Sequence, residues 1–390
     1  MGYCYAVLGA GRQGTACAYD MVKFGEADEV LLVDMNLSAA RAAAVRVNGL
    51  LGTDRVTAAQ LDVTDQTALE SLLGDVDAFL SAVPYYFNLE IAQTAVRVAA
   101  SMCDLGGNTD LVREQLGLDA QAKAAGISLI PDCGQVPGMG TTLMVYAMSL
   151  LDECEELFMW DGGLPQNPRP PFDYLLTFNV AGLTNEYAES PIFLRDGRPT
   201  LVPTMSELEE IEFPPPVGRL EAFTTGGGVS TMPWTFEGKL RTIQNKTVRY
   251  PGNFAQLRAF YDLGLWRTDA VQIEDQPVVP RKLFHSLFEP LVTHPGDRDL
   301  VVIRILAKGL KDGVPAEVVL DLSDFYDEET GFTAMERTTG WDAAIVAGMM
   351  ARGQTPKGAV PVEIGVQPDL FVQELEKREI LVKTQLTHQS

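Results

Sequence analysis

A strand-length apolar run, Tyr3 to Leu8, passes directly into Gly9-Ala10-Gly11-Arg12-Gln13-Gly14 and then into a helix-like stretch reaching Phe24. Few features narrow the possible folds so sharply. Gly9 permits the tight turn, Gly11 lets backbone approach a pyrophosphate, and Gly14 lets helix and strand pack closely, while the uncapped helix N-terminus offers N–H groups to the anion. A second apolar run, Glu29 to Val33, ends in Asp34. A carboxylate there accepts both hydroxyls of an adenosine ribose and repels a 2′-phosphate, so the spacing predicts NAD in preference to NADP. The nearest following cation, Arg41, falls inside the next helix pattern, away from any phosphate clamp. A domain of this kind holding FAD, an adenosyl cofactor or nothing is the alternative.

Strand and helix patterns keep alternating: "VTAAQLDV" with Asp62, "DAFLSAVP", "SMCDLGG" and "ISLIPDCG" are each separated by helical stretches. Six such strands predict an α/β fold with an N-terminal, doubly wound parallel sheet of Rossmann type. Ligands then belong at the carboxyl ends of the strands. Ala82, Val83 and Pro84 are expected beside the cofactor, with Asp62 either touching adenine or capping a helix. Tyr85, just after Pro84, and Asp104, followed by two glycines that clear space around it, are the candidate catalytic groups. Asp132 reads as a helix cap.

Beyond Leu151 the pattern becomes Pro- and Gly-rich, with strand-like runs such as "YLLTFNV" and "DLVVIRILAKG". A second, mixed-sheet α/β domain that binds substrate and mediates oligomerisation is predicted over residues 139–334, the first domain covering 1–138 plus about 335–357 and a tail filling 358–390. The stretch near Pro214 reads as a rigid surface crossing. "GWDAAIVAGMMARG" puts Ala343, Val346, Ala347 and Met350 on one stripe of a helix expected to return onto the first domain. The chain's end reads as a short amphipathic helix and an edge strand.

Charge decides the partners. Lys+Arg 30 against Asp+Glu 53 leaves a net charge of −23, which repels nucleic-acid phosphates and anionic lipid alike. No apolar run reaches the roughly 20 residues of a membrane span, and the first residues read as a strand instead of a leader, so a cytoplasmic protein acting on a small molecule is expected. The 5 cysteines include no C-x-x-C pair and the 3 histidines are scattered, which predicts reduced thiols and no metal site.

"GAGRQG" with Asp34, "AVPYYFN", "CDLGGN", "DCGQVPGMG", "GGLPQNPRPP", "VRYPGN" and "ERTTGWDAA" follow one another as in the saccharopine dehydrogenase-like family. The resemblance runs over nearly the whole chain and is strongest to the short, lysine-oxidising branch. It implies a homodimer or higher homo-oligomer and oxidation of an amine carbon by NAD, lysine giving 2-aminoadipate 6-semialdehyde, which cyclises, plus ammonia. In related saccharopine reductases a tyrosine after the strand-end proline has been considered an acid–base group, and Tyr85 matches that place. Those relatives commonly carry an aspartate before the proline of G-x-x-P-G, where this chain has Val136, a departure that weighs against saccharopine as substrate.

Lysine's ammonium, with a pKa of about 10.4, must lose a proton before hydride can leave the adjacent carbon. That requires a base, Tyr85 or Asp104. An α-carboxylate needs a cation, and Arg249 or Arg241 is predicted to supply it, with Thr225, Gly226 and Gly227 adding backbone N–H donors as an anion nest. Saccharopine, a carboxynorspermidine-type substrate, and a non-catalytic NAD sensor are the alternatives.

Overall fold

The computed structural model describes residues 2–389. Its first half runs β1 (Tyr3–Leu8), α1 (Arg12–Lys23), β2 (Ala27–Asp34), α2 (Leu37–Leu51), β3 (Val56–Gln60), α3 (Gln66–Leu73), β4 (Ala78–Ser81), a 3-10 turn (Tyr85–Phe87), α4 (Asn88–Val98), β5 (Ser101–Asp104), α5 (Thr109–Leu116), α6 (Asp119–Ala125), β6 (Ser128–Ile130) and α7 (Met139–Ser149). The second continues with β7 (Glu153–Pro165), α8 (Val180–Ala188), β8 (Ile192–Arg195), β9 (Arg198–Leu201), β10 (Glu209–Phe213), β11 (Gly218–Phe223), α9 (Met232–Thr235), β12 (Thr242–Arg249), α10 (Asn253–Asp262), β13 (Val271–Ile273), β14 (Gln276–Val278), α11 (Pro280–Val292), β15 (Asp299–Lys311) and β16 (Val314–Phe325). The chain closes with α12 (Ala334–Glu336), a π-turn (Arg337–Trp341), α13 (Asp342–Ala351), β17 (Gly358–Ala359), α14 (Val362–Gly365), α15 (Pro368–Lys377) and β18 (Val382–His388).

The first sheet is parallel throughout, in the order β3-β2-β1-β4-β5-β6-β17. The period-2 geometry of a strand explains why helices cover both faces. Tyr5 and Val7 of β1 pack with Ala16, Cys17, Val47 and Val346 on one side. Ala6 and Leu8 point the other way, to Leu69, Ile91 and Ala95. Burying both faces leaves only the strand ends open to ligand.

The second sheet runs β10-β11-β12-β7-β15-β16-β18, with β8 and β9 attached at β12. Here β7 and β12 are parallel neighbours and the remaining pairs antiparallel. The β15–β16 hairpin turns on Asp312-Gly313, both at positive φ (54° and 76°), the backbone that a tight two-residue turn demands. Ala316, Val318, Leu320 and Leu322 alternate inward along β16, as the pattern of a half-covered strand requires.

Several expectations are corrected. Residues 358–390 do not form a separate tail: β17 pairs with β6 as a seventh strand of the first sheet, and β18 forms an edge of the second. A buried ion network seals this return, Arg378 donating to both oxygens of Asp20 on α1 and to Glu374. "YLLTFNV" is not a strand. Tyr174 to Leu176 are buried, but in an irregular segment whose side chains enter an aromatic cluster with Tyr187, Trp266 and Phe288, so burial and not ladder pairing made that run apolar. Pro214 to Val217 form the turn of the β10–β11 hairpin instead of a crossing. The helix from Asp342 does return to the first domain, yet it is buried from Asp342 to Met350 on every side, not along one stripe, because β4, β5 and α1 surround it.

Candidate active site

The glycine loop is built to receive an anion. No side chain caps α1, and a Cβ at Gly11 would meet no atom, so the side facing the turn is open. Gly14, by contrast, sits so close to Gly9 that a Cβ would lie 1.9 Å from its carbonyl oxygen; any other residue would push the helix off the strand. These features fit a dinucleotide pyrophosphate at the N-terminus of α1. Asp34, half-buried at the end of β2, accepts the Ala10 N–H at 2.9 Å through one oxygen and the Asn36 N–H at 2.8 Å through the other, which fixes its carboxylate beside the loop. Ala82, Val83 and Pro84 follow β4 next to Gly9, where a Cβ would meet the Ala82 carbonyl at 2.7 Å. Arg12 turns away from the loop and donates to the Thr177 carbonyl of the second half at 3.3 Å, while Gln13 reaches the Met335 carbonyl at 3.5 Å. Asp62 makes a local turn with the N–H and hydroxyl of Thr64; the cap of α3 is Asp65, which accepts from Ala68.

The β5 and β6 ends hold a carboxylate pair. Asp104 is 1% exposed and fully occupied, accepting from Gly106 N–H (2.8 Å), Gln115 Nε2 (2.7 Å) and Asp132 N–H (3.3 Å). Burial raises its pKa against those three bonds. Both oxygens are spent on donors from its own loop, the β6 end and α5, so the expectation that Asp104 is a catalytic base is corrected: it positions the loop that follows. Asp132 is not a helix cap either. It is buried at φ 65° and accepts the Ser230 hydroxyl from the second half. Burial, with Asp104 and Glu363 adding repulsion, pushes its carboxyl up to about 8, the Ser230 bond opposing. Gly106 and Gly107 have φ of 71° and 122°; a Cβ at Gly106 would come within 2.2 Å of Asp132, and one at Gly107 within 3.0 Å of the Tyr85 ring. The glycine pair therefore lets the tyrosine lie against the loop, with its ring half-exposed. Of the two catalytic candidates, Tyr85 retains access to ligand.

Opposite stands the second sheet. On the face that β7 and β12 turn toward the first half, Leu157, Met159 and Ile243 are apolar, and then the same face becomes polar: Asp161, Asn245, Thr247 and Arg249. Gln135, from the loop after β6, reaches Asp161 at 3.3 Å and joins the two walls. Arg249 is 4% exposed, its Nε donating to the Tyr187 hydroxyl at 2.7 Å and Nη1 to the Val248 carbonyl at 2.8 Å. Glu186 on α8 lies 3.7 Å from Nη2, with the Thr225 and Thr247 side chains near its carboxyl. Arg241 is elsewhere. It precedes β12 at the opposite end from Arg249, is largely exposed and pairs with Glu156 at 3.1 Å, so it is withdrawn as a substrate ligand. Gly226 to Gly228 do line a cleft of about 140 Å³ with Asn108, Ser230 and Trp234, but the Gly226 N–H is already committed to the Glu186 carbonyl at 2.7 Å, so a full anion nest is not formed there.

Asp161, Glu186 and Ser230 carry no local motif that marks them in the sequence, whereas Gln135 lies in the strand-end motif "DCGQVPGMG". The descriptions "Saccharopine dehydrogenase NADP binding domain" and "Saccharopine dehydrogenase C-terminal domain" match residues 5–130 and 134–381. The chain belongs to the saccharopine dehydrogenase family. It is therefore of an oxidoreductase family that uses a nicotinamide cofactor. A saccharopine dehydrogenase [NADP(+), L-glutamate-forming] of Saccharomyces cerevisiae is 23% identical over 259 residues, 63% of this chain and 56% of that protein. The chain thus spans little more than half the length of that relative. The solved apo structure of the yeast saccharopine dehydrogenase superposes with a TM-score of 0.79 at 20% identity, covering 99% of this chain and 100% of that one. A homospermidine synthase from Legionella pneumophila in complex with NAD gives 0.65 at 13% identity over 99% and 92%. At such identities the likeness establishes the fold, and the parallel sheet joined to a mixed one is that fold.

Proposed function

We propose that this family member is an NAD-dependent L-lysine 6-dehydrogenase, oxidising the ε-amino carbon to 2-aminoadipate 6-semialdehyde and ammonia. The observation that carries this reading is Arg249. On the face of β7 and β12 turned toward the first half it is the one cation, which suits a substrate with one carboxylate better than saccharopine, which has three. NAD, when bound, supplies the hydride acceptor. The substrate carbon gives up a hydride and its nitrogen a proton, leaving an iminium; water adds to that carbon and ammonia departs. Tyr85 is the group placed to take the ammonium proton and to help water add. Because the substrate ammonium, with an ordinary pKa of about 10.4, must lose its proton before hydride leaves, turnover rises toward alkaline pH. Asp34 supports NAD over NADP through its fixed carboxylate.

The second reading is a saccharopine dehydrogenase, favoured by the relatives that bear that name. A panel of L-lysine and saccharopine, each with NAD and NADP, separates the two by NADH or NADPH absorbance. L-Lysine with NAD gives the fastest rate in the first reading; a rate with saccharopine and none with L-lysine refutes it.

A further inference from the structure

Behind the Gly226–Gly228 wall of the cleft lies more buried charge than the reaction above uses. Asp161 is buried, and its two oxygens take bonds from Asn245 Nδ2 (2.6 Å) and Gln135 Nε2 (3.3 Å), both neutral donors. Its carboxyl is pushed up to about 7, burial first, with Glu186 adding to the rise and Arg249 opposing it. Glu186 stands near it from α8, beside Thr225 and Thr247. The guanidinium of Arg249 is pinned at Nε by an uncharged phenol and at Nη1 by a carbonyl, and its Nη2 stands 3.7 Å from Glu186, too far for a hydrogen bond. A buried arginine without a hydrogen-bonded carboxylate, beside two carboxyls without a hydrogen-bonded cation, is an arrangement that burial penalises unless a ligand completes it. The Gly226–Gly228 segment covers it closely: a Cβ at Gly228 would fall 2.1 Å from Asn245 Oδ1.

We propose that Asp161 and Glu186 recognise the α-ammonium of an amino-acid substrate whose α-carboxylate lies on Arg249, making this end of the cleft a zwitterion subsite that sets specificity. The inference rests on the amine-oxidising reading and deepens it. A zwitterionic head group brings one charge of each sign and places each beside its complement without altering the net charge of the cleft. A lone carboxylate would face Glu186 unopposed. A lone ammonium would leave Nη2 of Arg249 unmatched. The ε-amino end, four methylenes away, is then free to extend toward the nicotinamide side.

The test measures binding and turnover separately. Calorimetry with NADH present compares L-lysine, 6-aminohexanoate, which lacks the α-ammonium, and cadaverine, which lacks the carboxylate. Wild-type protein binds L-lysine roughly 10–100-fold more tightly than either. Asp161→Asn and Glu186→Gln each reduce the advantage over 6-aminohexanoate by roughly tenfold or more, and in turnover they raise KM while kcat changes little, as loss of uniform binding requires. Circular dichroism confirms folding, and the isosteric Glu186→Gln serves should Asp161→Asn misfold. Equal binding of L-lysine and 6-aminohexanoate by wild type, or an unchanged ratio in folded variants, overturns the subsite. Tight, discriminating binding without NADH formation would leave the subsite standing and remove the dehydrogenase reading instead.

Discussion

The proposed preference for NAD is the sharpest point at which this reading departs from relatives named for NADP, and Asp34→Asn probes it. The Asp34 carboxylate is held on both sides by backbone N–H groups, so it cannot swing away from an incoming 2′-phosphate. A phosphate carries about −1.5 to −2 charges, and each faces the carboxylate at a distance of about 5 Å with an energy of about 0.8 kcal/mol in water or about 3 kcal/mol at an effective dielectric of about 20. Asp34 is half-buried, which places it toward the wetter limit, so the discrimination against NADP is about 1–3 kcal/mol, or roughly 10–100-fold in kcat/KM. Asparagine keeps the shape and one of the two accepted bonds, at a cost of about 1 kcal/mol in stability. Initial rates of the variant over a titration of each cofactor, at fixed amine, should show NADP use rising roughly tenfold or more and NAD use falling modestly. The effect should shrink with added salt. If wild type already prefers NADP, or the variant's NAD-to-NADP ratio stays within about twofold of wild type, the ribose assignment is wrong.

Tyr85→Phe should lower kcat by roughly 100-fold or more with little change in NADH affinity, measured by steady-state rates and fluorescence titration; unchanged kcat would remove the phenol from the proton transfer. Arg378→Met leaves Asp20 as an uncompensated buried charge and should destabilise the fold by about 3–5 kcal/mol, read as a lower midpoint in urea or on heating; a midpoint equal to wild type would contradict the sealing role of that network. Asp132 has its folded pKa, about 8, raised above an unfolded value of about 3.9. The native state therefore keeps a proton that the unfolded chain has lost, and stability from this group is complete below pH of about 4 and falls by about 1.4 kcal/mol per pH unit up to pH of about 8. Denaturation curves between those limits should be flatter for Asp132→Asn than for wild type. Equal slopes would place Asp132 in a wetter site than its surroundings indicate.

What was legible in the sequence was what lies close together along the chain. Gly9, Gly11, Gly14 and Asp34 sit in one strand–turn–helix–strand unit, so their spacing alone carries their geometry, and the structure places them together at the end of the first sheet. Tyr85 and Gly107 were each found at strand ends, but their contact was not, because it depends on β4 and β5 being neighbours. Asp104 was misjudged for a physical reason. Two glycines after an acid open space, and here their φ values send the backbone N–H of Gly106 back onto the carboxylate, so the space is filled by the chain itself. Asp132 was misread since its partner, Ser230, comes from the other half of the molecule.

The substrate side obeys a different rule. Asp161, Asn245, Thr247 and Arg249 share one face only because β7 and β12 lie parallel with Thr247 opposite Asp161. Shifting either strand by one residue would turn its polar side chains to the other face and bring apolar ones to the cleft. Register is held by the apolar end of the same face, where Leu157, Met159 and Ile243 enter the core with Met139 and Leu143 of α7. The residues proposed to set specificity are thus aligned by neighbours in the core beneath them. A cavity made there, as by Met159→Ala, should cost about 2–5 kcal/mol of stability, read as a lower midpoint in urea, and should loosen the alignment of the polar residues on that face, read as a smaller ratio of kcat/KM between L-lysine and 6-aminohexanoate. That coupling explains why the cofactor half is readable from a short motif while the substrate half needs the sheet.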